Sequence, residues 1–438
     1  MPTLRDRHTL GISVRHLVIT PDGRLNTRDS EAKSGPAPAA LPRHLGWIEH
    51  GSGDGPQFVW TSAGSTALNL AEQWIRRAST DRLWGDEVVT PSLYPWQDGS
   101  PLQTLAGTFA DRLYFTDGAR RQVLRWNADP GLFSVLSGRH VPASRLPLRL
   151  WETCRCFRLN QSGERKGVRR MDEFTLHDHH AICSDEQSAL LEYERLVMAQ
   201  LDLIGDWTDQ AELVFTLTED ALDARTDFLA RLSERTGRPL NVEVLSRRRH
   251  YWDMKHKIVT RSGYSTFNTQ FDTDNARRFG LTTGSAHGPR TYPVVLHTSL
   301  SSPERLLLVA AAQASGSTPA RFPLWFAPVQ LRLMPVNHDS VAEAVALARR
   351  LSAAGVRTDV DDRNHTISWK VRKAAEEWTH FVAVIGPREA AGGPLAVRDR
   401  DGTTQTWHER ELLEQITKEH GASPVRMGEV RLSRRATS

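Results

Sequence analysis

Cysteine is scarce. The 438-residue chain has three, Cys154, Cys156 and Cys183. Three thiols cannot build a disulfide framework, and a single residue separates the first two, so CxxC spacing is missing as well. All three are expected to be free thiols in a reducing cytoplasm. Long apolar runs are also missing. The longest, LLLVAAA at 306–312, falls far short of the roughly 20 residues that cross a bilayer. The opening MPTLRDRHTLGISVRHLVIT has no apolar stretch followed by a cleavage signal. There is no internal repeat and no low-complexity tract. A soluble, cytoplasmic protein with no membrane partner is predicted. Charge of one sign is not in excess either: the net charge is +4, with a pI near 9.1. That leaves room for an acidic partner without requiring one.

What is present divides into segments. Two joints rich in proline and small residues, 30–42 and 313–323, separate a short N-terminal extension (1–45), a body (46–318) and a C-terminal unit (319–438). In the C-terminal unit, APVQLRLMPV reads as a strand and DSVAEAVALARRLSAAG as a helix stopped by Gly355. Two more strands and two more helices follow, which predicts a small α/β domain with a largely parallel sheet. The body is different. Strand-like stretches such as LPLRLWETCRCFRL and YPVVLHTSL surround long helices at 67–81 and 184–204. That pattern predicts an α+β domain around a mostly antiparallel sheet.

Residues 160–183, NQSGERKGVRRMDEFTLHDHHAIC, crowd basic side chains, an aromatic ring and histidines together. A solvated loop is the ordinary fate of such a stretch; zinc binding and phosphate handling are the sharper readings. With the strand before it, the segment reads as strand, basic loop, strand. Arg158 could clamp a phosphate through its planar fork of donors, and Phe174 could offer a face to a base. Arg165, Lys166, Arg169 and Arg170 in the loop suit a nucleic-acid backbone.

This strand–loop–strand segment resembles motif 2 of the class II aminoacyl-tRNA synthetases. The surrounding blocks resemble the threonyl-tRNA synthetases, archaeal type. VVTPSLYPW is similar to motif 1, and YPVVLHTSLSSPERLLLVAA to motif 3, with Arg305 in the arginine position. FPLWFAPVQLRLMPV, VRTDVDDRNHTISWKVRKAAEEW and FVAVIGPRE are similar to the anticodon-binding domain. The resemblance runs from about residue 46 to the C-terminus and implies a two-step ATP-dependent reaction that activates threonine and transfers it to tRNA. It implies Arg158 at the α-phosphate, and Arg305 over the adenine opposite Phe174, reaching the γ-phosphate. Lys255 and Gln270 would line the adenylate pocket, and Mg2+ would bridge the phosphates. It also implies a homodimer through residues 67–96, and residues 1–45 leave no room for the family's editing domain.

The resemblance further implies a Zn2+ ion held by one cysteine and two histidines, contacting the substrate's amino and hydroxyl groups. His180 and His297 fall on the histidine positions, and Asp178 on an aspartate that receives the substrate's hydrogen bonds. His177 and His179 match no ligand and are expected at the surface or behind the ligands. The chain departs from the family at the cysteine, where Asp129 stands. Carboxylate also ligates zinc, so Asp129, His180 and His297 form one candidate set. The other possibility is that Asp129 binds a substrate ammonium directly, without metal. Asn160 replaces an acidic residue that reads the adenine amino group, and its carbonyl can still accept that hydrogen bond. Asp172 replaces an arginine, and Ser301 a glycine. These departures keep two alternatives in view: a specialised paralogue activating another amino acid, and a silent RNA-binding scaffold.

Overall fold

The computed structural model describes residues 12–27, 41–50, 58–161, 163–208, 210–285, 288–420 and 431–432. The joint at 30–42 lies outside them, apart from its last two residues. The chain divides into two compact units, Met1–Ala37 with Ile75–Val309 and Pro38–Trp74 with Ala310–Ser438. The boundaries at 45/46 and 318/319 divide the chain by motif; by contact, residues 46–74 fall in the second unit.

The first unit is built on a ten-stranded sheet. Its strands are β1 (Val14–Ile19), β2 (Leu25–Thr27), β3 (Asp86–Glu87), β4 (Leu148–Phe157) and β5 (Glu173–Cys183), then β6 (Ala211–Thr218), β7 (Leu240–Leu245), β8 (Trp252–Thr260), β9 (Ser265–Asp272) and β10 (Val294–Ser299). Their order is β2-β1-β7-β6-β8-β9-β10-β5-β4-β3. Pairing is antiparallel except at β6–β7 and β3–β4, so the mostly antiparallel α+β expectation holds. Residues 14–19 and 25–27, in the segment read from sequence as an extension, are strands of this sheet; β1 lies along β7 from Val14↔Leu245 to Ile19↔Leu240.

Between β4 and β5 the chain reverses through Gly163 and Gly167, whose φ of 81° and 55° a side chain would resist. The helix Glu186–Ile204 then crosses β5, β9 and β10 on one face. Its start is fixed by a capping box in which Asp185 accepts from Ser188 N at 2.8 Å and Ser188 Oγ accepts from Asp185 N. A buried polar ladder fastens it to the sheet. Tyr193 Oη meets His256 Nδ1, His256 Nε2 meets Gln200 Oε1, and Gln200 Nε2 donates to Thr269 Oγ1, each at 2.8 Å.

The two-residue period of β5 sorts its side chains. Phe174, Leu176, Asp178 and His180 share one face, His177 and His179 the other. Of the two places expected for His177 and His179, the surface is excluded: both are fully buried. His177 is held by Ser79 Oγ at 2.5 Å and Thr153 Oγ1 at 2.7 Å. The physical reason is that the odd face of β5 is covered, with Ser79 and Trp151 against His177, while the even face turns toward a cleft.

The second unit carries a six-stranded sheet. Leu331–Pro335, Thr358–Val360, Phe381–Ile385 and Arg431–Leu432 pair in parallel, and Leu395–Arg398 and Thr404–Trp407 add antiparallel strands. Leu333, Leu347, Leu351, Phe381 and Leu412 are among its core residues. The ring of Trp47 stacks on Phe322 with centroids 5.3 Å apart, which ties residues 41–50 into this unit.

Candidate active site

The even face of β5 forms the floor of a cleft of about 860 Å³ in the first unit. Cross-strand register places its residues in a row: Lys255 opposite Gln270, Gln270 opposite His297, and His297 opposite His180. Sequence reasoning expected eight residues at the ATP and substrate side. Arg158, Asn160, Phe174, Asp178, Lys255, Gln270 and Arg305 all line the cleft, whereas Asp129 is almost wholly buried beside it.

Arg158 follows the end of β4. Its Nε donates to Trp126 O at 2.8 Å, and its guanidinium lies between Phe109 and Phe174, 4.6 and 4.8 Å from the ring centres. Burial destabilises its charged form, and the sulfur of Cys156 and the carboxylate of Asp178 only partly offset this. A charge held in that state gains from an incoming phosphate. Arg305 stands in the first turn of the helix Pro303–Ser315, with Nη1 on Ser265 O at 3.2 Å. Burial, with Lys257 nearby, lowers Lys255 to about 8. Asp178 Oδ1 is buried with no hydrogen-bond partner. Burial, reinforced by the charge of Asp129, raises this carboxyl to about 7. It is suited to receive a cation.

Asp129, His180 and His297 converge under the cleft. Among the described residues they form the one group whose potential metal-binding atoms, one from each, lie within 4.8 Å of one another. His297 Nδ1 is 3.1 Å from Asp129 Oδ1 and 3.1 Å from His180 Nδ1. Donors about 2.0–2.2 Å from a tetrahedral zinc stand roughly 3.3 Å apart, so these spacings suit that ion. The other nitrogen of His297 faces Asp272 Oδ2 at 3.0 Å, the carboxylate support that turns a ligating imidazole toward its metal. His180 Nε2 is buried without a partner.

The same residues also balance their charges as they stand. Burial opposes charge on His297, yet the Asp129 carboxylate and hydrogen bonds to Asp129 and Asp272 raise it to about 10. Burial would raise Asp129, but the charge of His297 overrides it and holds the carboxyl below the usual range. Burial and the His297 charge lower His180 to about 3. From the cleft side, Asn127 Nδ2 and the Tyr251 hydroxyl donate to Asp129 Oδ2 at 2.7 and 2.5 Å.

Sequence reasoning missed Phe109, Arg112, Asn127, Tyr251 and Asp272. Each reaches the site from outside the strand–loop–strand segment, and no spacing links them to it. Asn127 and Asp272 are the legible ones, since each lies within two residues of a predicted site residue. Ser301 has a φ of 76°, which explains why glycine suits that position. Its Oγ is buried without a partner. Ser301→Gly should therefore stabilise the protein by about 1 kcal/mol, read as a rise in Tm; an unchanged or lower Tm would show the serine to be unstrained.

The tRNA synthetase class II core domain (G, H, P, S and T) matches residues 114–314, and the anticodon binding domain matches 330–419. Among solved structures, the RNA binding domain of threonyl-tRNA synthetase from Cryptosporidium parvum superposes with a TM-score of 0.75 at 21% identity, covering 87% of this chain and 98% of that one. Prolyl-tRNA synthetase from the same organism, complexed with L-proline and AMP, gives 0.66 at 14% identity, covering 88% and 75%. The fold and the matched core are those of a class II aminoacyl-tRNA synthetase. The threonine–tRNA ligase of Methanoculleus marisnigri is 30% identical over 443 residues, that of Cenarchaeum symbiosum 32% over 446. Each alignment covers 93% of this chain and 72% of the relative. The chain belongs to the threonine–tRNA ligase family.

Proposed function

We propose that the chain activates threonine with ATP and transfers it to the 3′ end of tRNA. The observation that carries this reading is the convergence of Arg158, Phe174, Asp178, Lys255, Gln270 and Arg305 on one cleft. In the first step a carboxylate oxygen of threonine attacks the α-phosphorus of ATP, and the bond to pyrophosphate breaks. Arg158 neutralises charge gathering on the α-phosphate, and Arg305 and Lys255 hold the outer phosphates and the adenylate. Phe174 stacks the adenine, and Asp178 accepts hydrogen bonds from the substrate. In the second step a hydroxyl of the terminal adenosine attacks the acyl carbon and AMP leaves. Magnesium bound with ATP would offset the charge of its phosphates.

Asp129, His180 and His297 would hold zinc, which would act as a Lewis acid toward the amino and hydroxyl groups of threonine. A ligand position left unfilled by valine makes rejection strong. Zinc-supplemented protein should carry about one equivalent per chain. Asp129→Cys should bind it more tightly, because zinc favours sulfur. Metal below about a tenth of an equivalent in fully active protein would overturn this assignment. One observation favours the metal-free alternative: His297 lies between Asp129 and Asp272 with its charge already balanced. In that case Asp129 serves the substrate ammonium, and a specialised paralogue for another amino acid becomes the better reading. Amino-acid-dependent pyrophosphate exchange across a panel of amino acids, with metal analysis on the same sample, separates the two. Threonine should give the fastest exchange.

The enzyme works as a homodimer in the cytoplasm on this reading. Residues 67–96 expose Trp84, Val89 and Leu93, and Val89 is 92% exposed. Arg195 donates to Leu83 O and lies over the Trp84 ring. Its helix neighbours Leu191 and Met198 are exposed too, so the apolar patch continues onto that helix. The buried free thiols suit a reducing compartment.

A further inference from the structure

We infer that Asn160 and Asp172 are a positioning pair that closes the neck of the loop over the ATP half of the cleft, and that Asn160 does not read the adenine. The inference rests on the ATP-dependent activation proposed above.

Asn160 is 4% exposed, and both ends of its side-chain amide are engaged. Oδ1 accepts from Arg112 Nη1 at 3.3 Å and Arg170 Nε at 3.0 Å. A carbonyl oxygen has two lone pairs, so none is left for an adenine amino group. The amide nitrogen Nδ2 donates to Asp172 Oδ1 at 2.7 Å and Met171 O at 2.9 Å, and the backbone N donates to Asp172 Oδ1 at 3.2 Å. Asp172 Oδ2 in turn accepts from Arg165 Nε and Nη2 at 2.9 and 2.6 Å. The Asp172 carbonyl accepts from Arg158 N at 2.7 Å. Glu164 completes the arrangement, taking Arg112 Nη2 at 2.7 Å and Arg170 Nη2 at 3.0 Å on one oxygen.

Two consequences follow. The side chains at 160 and 172 join the two ends of the loop two residues from Arg158, so the phosphate-facing arginine is set by a pair that does not touch phosphate. The chemistry of the pair is also directional, because position 160 must donate where position 172 accepts. An aspartate at 160 would put a second carboxylate oxygen where Nδ2 stood, against Asp172 Oδ1 and Met171 O. The neck would be pushed open.

The test is a double-mutant cycle on the full chain with Asn160→Asp, Asp172→Asn and both together. KM for ATP and kcat are measured in amino-acid-dependent exchange, and ATP and ITP Kd by calorimetry. Asn160→Asp should raise KM and Kd for ATP roughly tenfold, the scale of a buried hydrogen bond turned repulsive, with kcat changed less. Asp172→Asn should cost about threefold, through the weakened Arg165 contact. The double variant should return to within about threefold of the parent, because the pair regains a donor and an acceptor. The preference for ATP over ITP should be the same in all four proteins. If instead Asn160→Asp binds ATP as well as the parent does, or the ATP-to-ITP ratio moves with residue 160 alone, Asn160 is a base reader and the inference fails. A parent protein that binds ATP but exchanges nothing fails the ligase reading, and the Kd cycle still decides the pair. Should Asn160→Asp not fold, Asp172→Asn carries the test, and unchanged ATP affinity overturns the inference.

Discussion

Arg158→Ala should slow threonine-dependent pyrophosphate exchange about a hundredfold, the scale of losing one donor to transition-state charge. The geometry gives that residue more weight than its neighbours. It is half-buried, clasped between Phe109 and Phe174, and tied by Nε to Trp126 O. Such a guanidinium needs little rearrangement to meet a phosphate, so its contribution belongs to kcat more than to KM. Arg158→Lys should recover only part of the loss, since an ammonium cannot both hold the Trp126 carbonyl and present a planar fork. Near-parental exchange in Arg158→Ala, with the fold intact by circular dichroism, would remove Arg158 from the chemistry. No exchange by the parent protein with any amino acid would leave the silent scaffold as the surviving reading.

Charging of tRNA should fall ten- to a hundredfold in Trp369→Ala, as the loss of about 1–3 kcal/mol of base stacking implies, while exchange stays within about twofold. Thr366 caps the helix Ile367–Glu376 on which Trp369 sits. The His365 ring stacks on Trp369 with centroids 3.9 Å apart, and the Arg363 guanidinium lies 4.7 Å from the same ring. Asp361 fixes that guanidinium through two bonds of 2.6 and 2.8 Å. This is a preformed platform of flat groups with a positive edge, suited to unstacked bases of an anticodon loop. Arg363→Ala should act in the same direction and also flatten the salt dependence of tRNA binding. Loss of exchange in parallel with charging would mean that the variants damage the whole protein. Unaltered charging would move the tRNA contact elsewhere.

The parts of the site legible in the sequence were those held by strand periodicity. Arg158 and Phe174 could be read from the strand–loop–strand pattern, Asp178 and His180 from the family resemblance, and the two-residue repeat puts Phe174, Asp178 and His180 on one face. What could not be read was which residues come from elsewhere to meet them. Tyr251 and Asp272 reach Asp129 and His297 only because β8, β9 and β10 follow one another in the sheet order. His177 and His179 are buried because the face of β5 that carries them is covered by residues distant in sequence, Ser79 among them. Asn160 illustrates a third limit. Its type permits adenine recognition, and only the positions of Arg112 and Arg170 show its acceptor already in use.

The strand Val14–Ile19 has a consequence for how the protein is made. It joins the outermost strand, β2, to the rest of the catalytic sheet, and the bond between Ser13 N and Ser246 Oγ beside it spans 233 residues. At a synthesis rate of roughly 5–20 residues per second, such a strand waits about 10–50 s for its partner. Throughout that interval Leu17 and Ile19, buried in the finished fold, have no sheet to enter. Completion of the catalytic unit is therefore a late event on the ribosome, and a nascent chain halted before residue 240 carries a strand paired only with β2, its other side open to wrong neighbours.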